Sequence, residues 1–315
     1  MASLSGTDQL HLLICQCPAL QTLLWRPTYG RGFPHAEFCA LYIESKWPDL
    51  DSITFKAAGI NIPEESHFRL LQVAKQPFRV LDYHLSGLGP RTLELLMDQH
   101  FATMQSIDLC YLGNAGKWAI KVLTSFPRLE RFSAETIFAS HILEGEPWVC
   151  HGLKELTVFI DMDVVERGQF RNQLSAKEIQ QCRGIYRQLA ALRELRVLDM
   201  LSKFDTIWGS MGSALKVPLP FCLDAGLELM AGSVKLKKFK LWPGREEVNE
   251  RELAWILEHW KQLRRLDGGW CCTAEGGFFL SLAGEQKKLL NKHGINITED
   301  TSDDRAVEAR LRWNE

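Results

Sequence analysis

The sequence predicts an α/β solenoid, with a curved parallel sheet on the concave side and helices on the convex side, built from about nine repeats. Two observations carry this. One short phrase recurs nine times, reading Leu or another apolar residue, two residues, an apolar residue, one residue, then usually a further apolar one. The stretches between its copies carry helical periodicity instead. A fixed-period repeat decides the architecture before any single residue does.

The first copies are Leu20-Gln-Thr-Leu23-Leu-Trp25, Leu50-Asp-Ser-Ile53-Thr-Phe55, Phe78-Arg-Val-Leu81-Asp-Tyr83 and Met104-Gln-Ser-Ile107-Asp-Leu109. Leu129, Leu153, Leu195, Leu236 and Leu263 open the others, and the ninth is incomplete because Gly268 stands where the third apolar residue belongs. Successive starts are separated by 30, 28, 26, 25, 24, 42, 41 and 27 residues. Six of these intervals fall in the range of about 20–30 residues typical of leucine-rich repeats. The two long ones flank Leu195 and predict insertions near 163–192 and 202–230. The expected organisation is a single solenoid over 1–297 followed by a polar tail over 298–315.

In an extended strand, side chains alternate faces, so the fourth and sixth positions of the phrase point inward together, and the first turns inward as the chain enters the strand. One repeat cannot bury this stripe by itself and needs its neighbours. Between the strands, Pro90 suits a first helical turn ahead of Leu93, Leu96 and Met97. Asn114 is placed to cap a helix with Ala119, Val122, Leu123 and Phe126 on one face. Ser175-Ala-Lys-Glu178 is a capping-box pattern opening a helix to about Leu192. Asn249-Glu-Arg-Glu252 has the related Asn-led form ahead of Leu253, Ile256, Leu257 and Trp260.

Three repeats begin with Cys17-Pro18-Ala-Leu20, Trp47-Pro48-Asp-Leu50 and Phe126-Pro127-Arg-Leu129; Cys150-His-Gly-Leu153 and Trp260-Lys-Gln-Leu263 are looser versions. Proline stops the preceding helix and releases the chain into the next strand. This pattern, together with the segment from Leu253 to Leu263, resembles the ribonuclease-inhibitor-like leucine-rich repeats of F-box adaptor proteins, particularly the large fungal set, over roughly residues 15–295. The resemblance implies a protein-recognition module, the substrate-binding part of a ubiquitin ligase adaptor, with no cofactor. Members of the family usually carry an N-terminal F-box that docks on a Skp1-type subunit. The first repeat here starts at Leu20 and leaves too few residues before it for that module. The expectation is a fragment or an F-box-less relative, with a Skp1-type partner only if an F-box exists outside this sequence. The other reading is a leucine-rich-repeat scaffold or regulator unconnected with ubiquitination.

A net charge of −2 and a pI near 6.5 give no electrostatic case for nucleic acid or an anionic membrane. No apolar run approaches the ~20 residues of a membrane span. The nine scattered cysteines fit a reducing compartment, cytoplasmic or nuclear. A monomer is expected, with partner proteins of unknown identity.

No residue set points to catalysis or a metal. Asp161-Met-Asp163 reads as a loop leading into an insertion rather than a metal-binding pair. Gly30-Arg-Gly32 and Gly87-Leu-Gly89-Pro90 continue as neither GxGxxG nor a Walker loop. Gly209-Ser-Met-Gly212 lacks nucleophile-elbow spacing. Cys150 and His151 are adjacent and would face opposite sides of a strand.

Positions five and seven of the phrase are expected on the concave surface. Along the ladder they supply Thr54, Lys56, Asp82, His84, Asp108, Ser133, Glu135, Thr157, Phe159, Asp199, Leu201, Lys240 and Trp242 as candidate partner-binding residues. The middle of this ladder is acidic to polar. Its later part offers Phe159, Leu201 and Trp242 as apolar anchors of the kind interfaces use, unless the two insertions fold over them and bury them as core. The run from Lys235 to Lys240 reads as a solvated strand edge.

Overall fold

The structure is a computed structural model. It describes residues 16–17, 19–25, 47–55, 64–74, 77–83, 89–109, 115–163, 174–200, 217–241, 249–268 and 284–299. Two compact units divide the chain, one ending at Ala134 and the other starting at Glu135. Each has the strand–helix alternation of an α/β solenoid.

The first unit contains β1 (Thr22–Trp25), β2 (Ser52–Phe55), α1 (Glu64–Gln72), β3 (Val80–Tyr83), α2 (Pro90–Gln99), β4 (Ser106–Leu109), α3 (Ala115–Ser125) and the start of β5 (Arg131–Phe138). Each strand pairs in parallel with the next in sequence, and the register runs Leu23↔Ile53↔Leu81↔Ile107↔Phe132. These are the fourth positions of five successive phrases. None is more than 7% exposed, so the predicted inward stripe is a continuous core. Leu70, Leu71, Leu93, Leu96, Ala119, Val122 and Leu123 cover that core from α1, α2 and α3. Met97 is only half-buried.

The second unit holds the rest of β5, α4 (Ala139–Glu144), β6 (Glu155–Asp161), α5 (Ala176–Ala190), β7 (Val197–Asp199), a 3-10 helix (Leu227–Gly232), β8 (Lys238–Leu241), α6 (Glu250–His259), β9 (Arg265–Gly268), α7 (Gly284–Lys292) and β10 (Asn296–Glu299). The same register recurs as Leu156↔Leu198↔Phe239↔Leu266↔Ile297. Before β8 the chain returns through the short 3-10 helix, where the sequence predicts only an insertion.

The lead-in to each strand is a tight turn. Leu20, Leu50, Leu129, Leu153, Leu195, Leu236 and Leu263 each donate a backbone N–H to the carbonyl three residues earlier, at 2.9–3.3 Å. In the Trp47–Leu50 and Phe126–Leu129 turns the outer two residues are buried and the inner two, led by proline, are exposed. Proline at the second position of a turn has its φ already set and needs no donor there. Just past the turn, the carbonyl of position two accepts two consecutive N–H groups from the next repeat: Asp51 and Ser52 on Gln21, Arg79 and Val80 on Asp51, Arg196 and Val197 on Lys154. The Met104 copy departs from this form. There His100 is buried, and its Nδ1 accepts from Phe78 N–H at 3.0 Å, while Thr103 Oγ1 donates to the Phe78 carbonyl at 3.0 Å.

The helix starts at Ser175 and Asn249 follow their capping chemistry, while Asn114 lies outside the described residues. Ser175 and Glu178 complete a capping box, with Glu178 N–H on Ser175 Oγ at 3.3 Å and Ser175 N–H on Glu178 Oε2 at 2.6 Å. Asn249 accepts from Arg251 and Glu252 N–H at 2.9 and 3.2 Å, but its box is half-made. Glu252 is 3% exposed and its Oε1 accepts from Leu223 N–H at 3.1 Å instead. Helix α2 starts at Pro90, and its open N–H groups are met from α1: Glu64 Oε1 accepts from Arg91 and Thr92 N–H at 2.9 and 3.4 Å. A Cβ on Gly89 would collide with that carboxylate, so a side chain there displaces the cap.

The tenth strand was not anticipated from the phrase. By register its first position is Gly294, which takes φ +73° where the other copies have a large apolar residue. Gly294 closes α7 in a Schellman motif, with its N–H on the Asn291 carbonyl at 2.9 Å and Ile295 N–H on the Leu290 carbonyl at 3.0 Å. Ile295 and Leu290 are buried and make the apolar contact such a cap uses.

Candidate functional site

The residues that differ from repeat to repeat lie between the buried ones. Position five forms a register column, Leu24↔Thr54↔Asp82↔Asp108↔Ser133 in the first unit and Thr157↔Asp199↔Lys240↔Asp267 in the second. The strand alternation therefore brings the candidate residues together within each unit. Thr54, Ser133, Glu135, Thr157, Asp199 and Lys240 are half-buried there. Asp82 is described only as backbone of β3. Lys56, His84, Leu201 and Trp242 lie outside the described residues.

Two candidates are corrected by burial. Asp108 is 7% exposed, and all four residues of β4 are buried, so both faces of that strand are covered. Phe159 is 1% exposed rather than displayed as an anchor. Alternation in β6 stops at Val158, and Phe159, Ile160 and Asp161 are buried in succession. The cover is residues 217–219, within the second insertion. Asp161 bridges antiparallel to Pro218, Met162 N–H donates to the Val217 carbonyl at 2.7 Å, and Val217 N–H donates to Asp161 Oδ1 at 3.1 Å. The cavity left among Phe159, Ile160, Met200, Pro218 and Leu219 is about 10 Å³, room for roughly one water.

The same contacts assign the Asp161-Met-Asp163 pair. Asp161 holds the covering segment, and Asp163 accepts from Ser140 N–H and hydroxyl at 3.0 and 2.5 Å at the start of α4. Both carboxylates serve backbone donors. Burial pushes the Cys150 thiol up to about 12, so it stays protonated and unreactive. Among the described residues no group of three or more His, Cys, Asp and Glu could hold a metal ion, and no helix is long and apolar enough to cross a membrane.

Position three shares the face of position five, since both alternate with the buried fourth residue. Sequence reasoning assigned positions five and seven and passed over position three, although the same arithmetic selects it. In the second unit that position holds Glu155, Val197, Lys238 and Arg265. Arg265 Nε lies 2.8 and 2.7 Å from the two carboxylate oxygens of Asp267, Lys238 Nζ lies 4.0 Å from Asp267, and Lys240 Nζ lies 3.4 Å from Asp199. Asp267 is 1% exposed, so this carboxylate organises cations at the surface from within. Burial, reinforced by Lys240 and Arg265, pulls Lys238 below the ordinary lysine value, with Asp267 and Asp199 acting the other way. In the first unit Arg131 Nε donates to Ser106 Oγ at 3.4 Å.

No family model matches the chain, and no curated protein matches it. Among solved structures it is similar to a crystal structure of a Rad7 and Elc1 complex in yeast, with 14% sequence identity, a TM-score of 0.45, and coverage of 95% of this chain and 79% of that chain.

Proposed function

We propose that the chain is a protein–protein recognition module that reads its partner through positions three and five of the strand ladder. One observation carries the reading: the fourth positions of β1 to β9 are apolar and buried, while positions three and five on the opposite face change from strand to strand in fixed register, mostly among Ser, Thr, Asp, Glu, Lys and Arg, with Leu24, Val80 and Val197 between them. A rigid row of differing polar groups suits recognition of an extended surface. No catalytic role and no cofactor form part of the proposal. A reducing compartment, cytoplasm or nucleus, is proposed with it, supported by the buried free thiol of Cys150.

The finer reading is the substrate-binding part of an F-box-type ubiquitin ligase adaptor, supported by the proline lead-ins at Trp47-Pro48 and Phe126-Pro127. Affinity capture with the full gene product tests both levels. Recovery of a Skp1-type subunit together with a further protein is expected. A further protein without any Skp1-type subunit ends the ligase reading and leaves a scaffold or regulator. Loss of that protein on Asp199→Lys with Lys240→Glu would place it on this face, and unchanged capture would remove the face from the proposal.

A further inference from the structure

The second unit carries a column of cations that the face just described does not include. Position two of the phrase is Lys154, Arg196, Lys237 and Arg264 on the repeats leading into β6, β7, β8 and β9. Short, uniform backbone bonds fix its register: Arg196 N–H to the Lys154 carbonyl at 2.7 Å, Lys237 to Arg196 at 2.8 Å, and Arg264 to Lys237 at 2.8 Å. The four cations thus stand one strand apart, about 4.8 Å each. Arg196, Lys237 and Arg264 are exposed, and Lys154 is half-buried. Arg264 Nη1 donates to the carbonyls of Lys261 and Leu263 at 3.4 and 3.1 Å, which holds its guanidinium at the lead-in edge.

Three of the acids nearby have closer cationic partners outside the column. Glu194 is bound by Lys235, with both oxygens 2.6 Å from Nζ. That ammonium holds the Glu194 carboxyl below its ordinary range, with Arg196 and Lys154 adding to the effect. Asp267 takes Arg265 and Lys238, and Asp199 takes Lys240. Glu155 is exposed beside Lys154. The phrase itself does not demand cations at position two. In the first unit that column reads Gln21, Asp51, Arg79, Gln105 and Glu130, and Arg79 is held in two contacts by Asp51, at 2.6 and 3.0 Å. Like charges facing each other on adjacent strands repel. A chain of net charge −2 that keeps Arg196, Lys237 and Arg264 exposed in one line bears that repulsion, and an anionic partner relieves it.

We infer that the position-two column of the second unit is a docking surface for an acidic polypeptide segment. The inference rests on the recognition reading above and gives its ligand a charge and a length. Three inter-strand gaps span roughly 14 Å, which about ten helical or about five extended residues cover.

The test uses the full chain and a labelled peptide of about ten residues rich in Glu and Asp, with a Gln/Asn peptide of equal length beside it, followed by fluorescence polarisation at low and moderate salt. The acidic peptide is expected to bind in a salt-sensitive way. The triple variant Arg196→Glu, Lys237→Glu, Arg264→Glu is expected to weaken it on the order of tenfold or more. A control variant, Lys117→Glu, Arg187→Glu, Lys292→Glu, reverses the same number of exposed charges on helices and is expected to bind as the parent does. Circular dichroism melts verify that both fold, and Arg196→Gln with Lys237→Gln replaces the triple variant if it does not. No binding of the acidic peptide, or equal loss in the control, overturns the inference. Tighter binding of a single-stranded oligonucleotide of matched charge, lost in the same triple variant, overturns the commitment to a polypeptide. A partner recovered by affinity capture and retained by the triple variant overturns the column and leaves the recognition reading standing. Loss of that partner on the face variant Asp199→Lys with Lys240→Glu alone points the same way.

Discussion

The two units repeat one interior pattern and differ in what they show. Leu23↔Ile53↔Leu81↔Ile107↔Phe132 and Leu156↔Leu198↔Phe239↔Leu266↔Ile297 are the same column written twice. The outward columns do not match. The first unit presents Thr54 and Ser133 beside a mixed position two. The second presents Lys238 and Arg265 held by the buried Asp267, and Lys240 paired with Asp199, beside an unbroken row of Lys and Arg. Packing against both neighbours leaves the inward positions little freedom, because a lost methylene there opens a cavity. Most outward positions carry less of that constraint, Asp108, Phe159 and Asp267 being buried exceptions, so differences between repeats collect there.

If the interiors are equivalent, Leu81→Ala and Leu198→Ala each cost on the order of 2–5 kcal/mol in a urea unfolding titration. A cost confined to one of the two would break the equivalence. The faces are expected to differ next. Asp267→Asn removes the charge that gathers Arg265 and Lys238, for a loss of about 1–3 kcal/mol. Ser133→Ala in the first unit is expected to stay within about 0.5 kcal/mol, and equal effects would show that Asp267 organises nothing. Gly89→Ala displaces the Glu64 cap from α2, at about 1 kcal/mol, while Gly232→Ala, which meets open space, is expected to cost less by thermal melting. The smallest effect is a pH dependence peculiar to the first unit. Burial lowers the His100 pKa below its ordinary 6.5, against a smaller upward effect of the Leu71 carbonyl. The unfolded chain therefore takes up the proton first as pH falls. The stability contributed by neutral His100 is present above about 6.5 and is lost as pH drops from there towards the lower folded value. His100→Gln is expected to flatten the melting temperature between pH 7 and 5, and an unchanged slope would assign the dependence to other groups.

What the sequence revealed was the part governed by neighbouring residues. Leu156 and Leu198 are inward because alternation and period require it, Ser175 caps because Glu178 stands three residues on, and the Trp47-Pro48 and Phe126-Pro127 turns announce the strands that follow. Phe159 sits at an outward position by the same alternation and is nevertheless buried, because residues 217–219 return to cover it from more than fifty positions away. No local period encodes that contact. The tenth strand escaped notice because Gly294 serves the Schellman cap where a Leu was expected. Lys238 and Arg265 were open to the alternation argument and needed only its extension to position three. The row Lys154, Arg196, Lys237 and Arg264 emerged only once the backbone register aligned it.

The unequal intervals around Leu195 have a consequence for the order of assembly. Within the second unit, β7 is joined to β6 and to β8 by segments of 42 and 41 residues between phrase starts, against 27 between the phrases of β8 and β9. Closing the longer loop costs only about 0.4 kcal/mol more in chain entropy. However, β7 is also a strand of three residues, shorter than either neighbour, so it offers fewer ladder bonds to offset that cost. In a stack where each repeat gains only from the repeats beside it, such a link is where growth pauses during folding and where the unit first comes apart. The recognition face crosses that link at Asp199, so a partner bridging Thr157 to Lys240 would act as a clasp on the weakest seam of the unit.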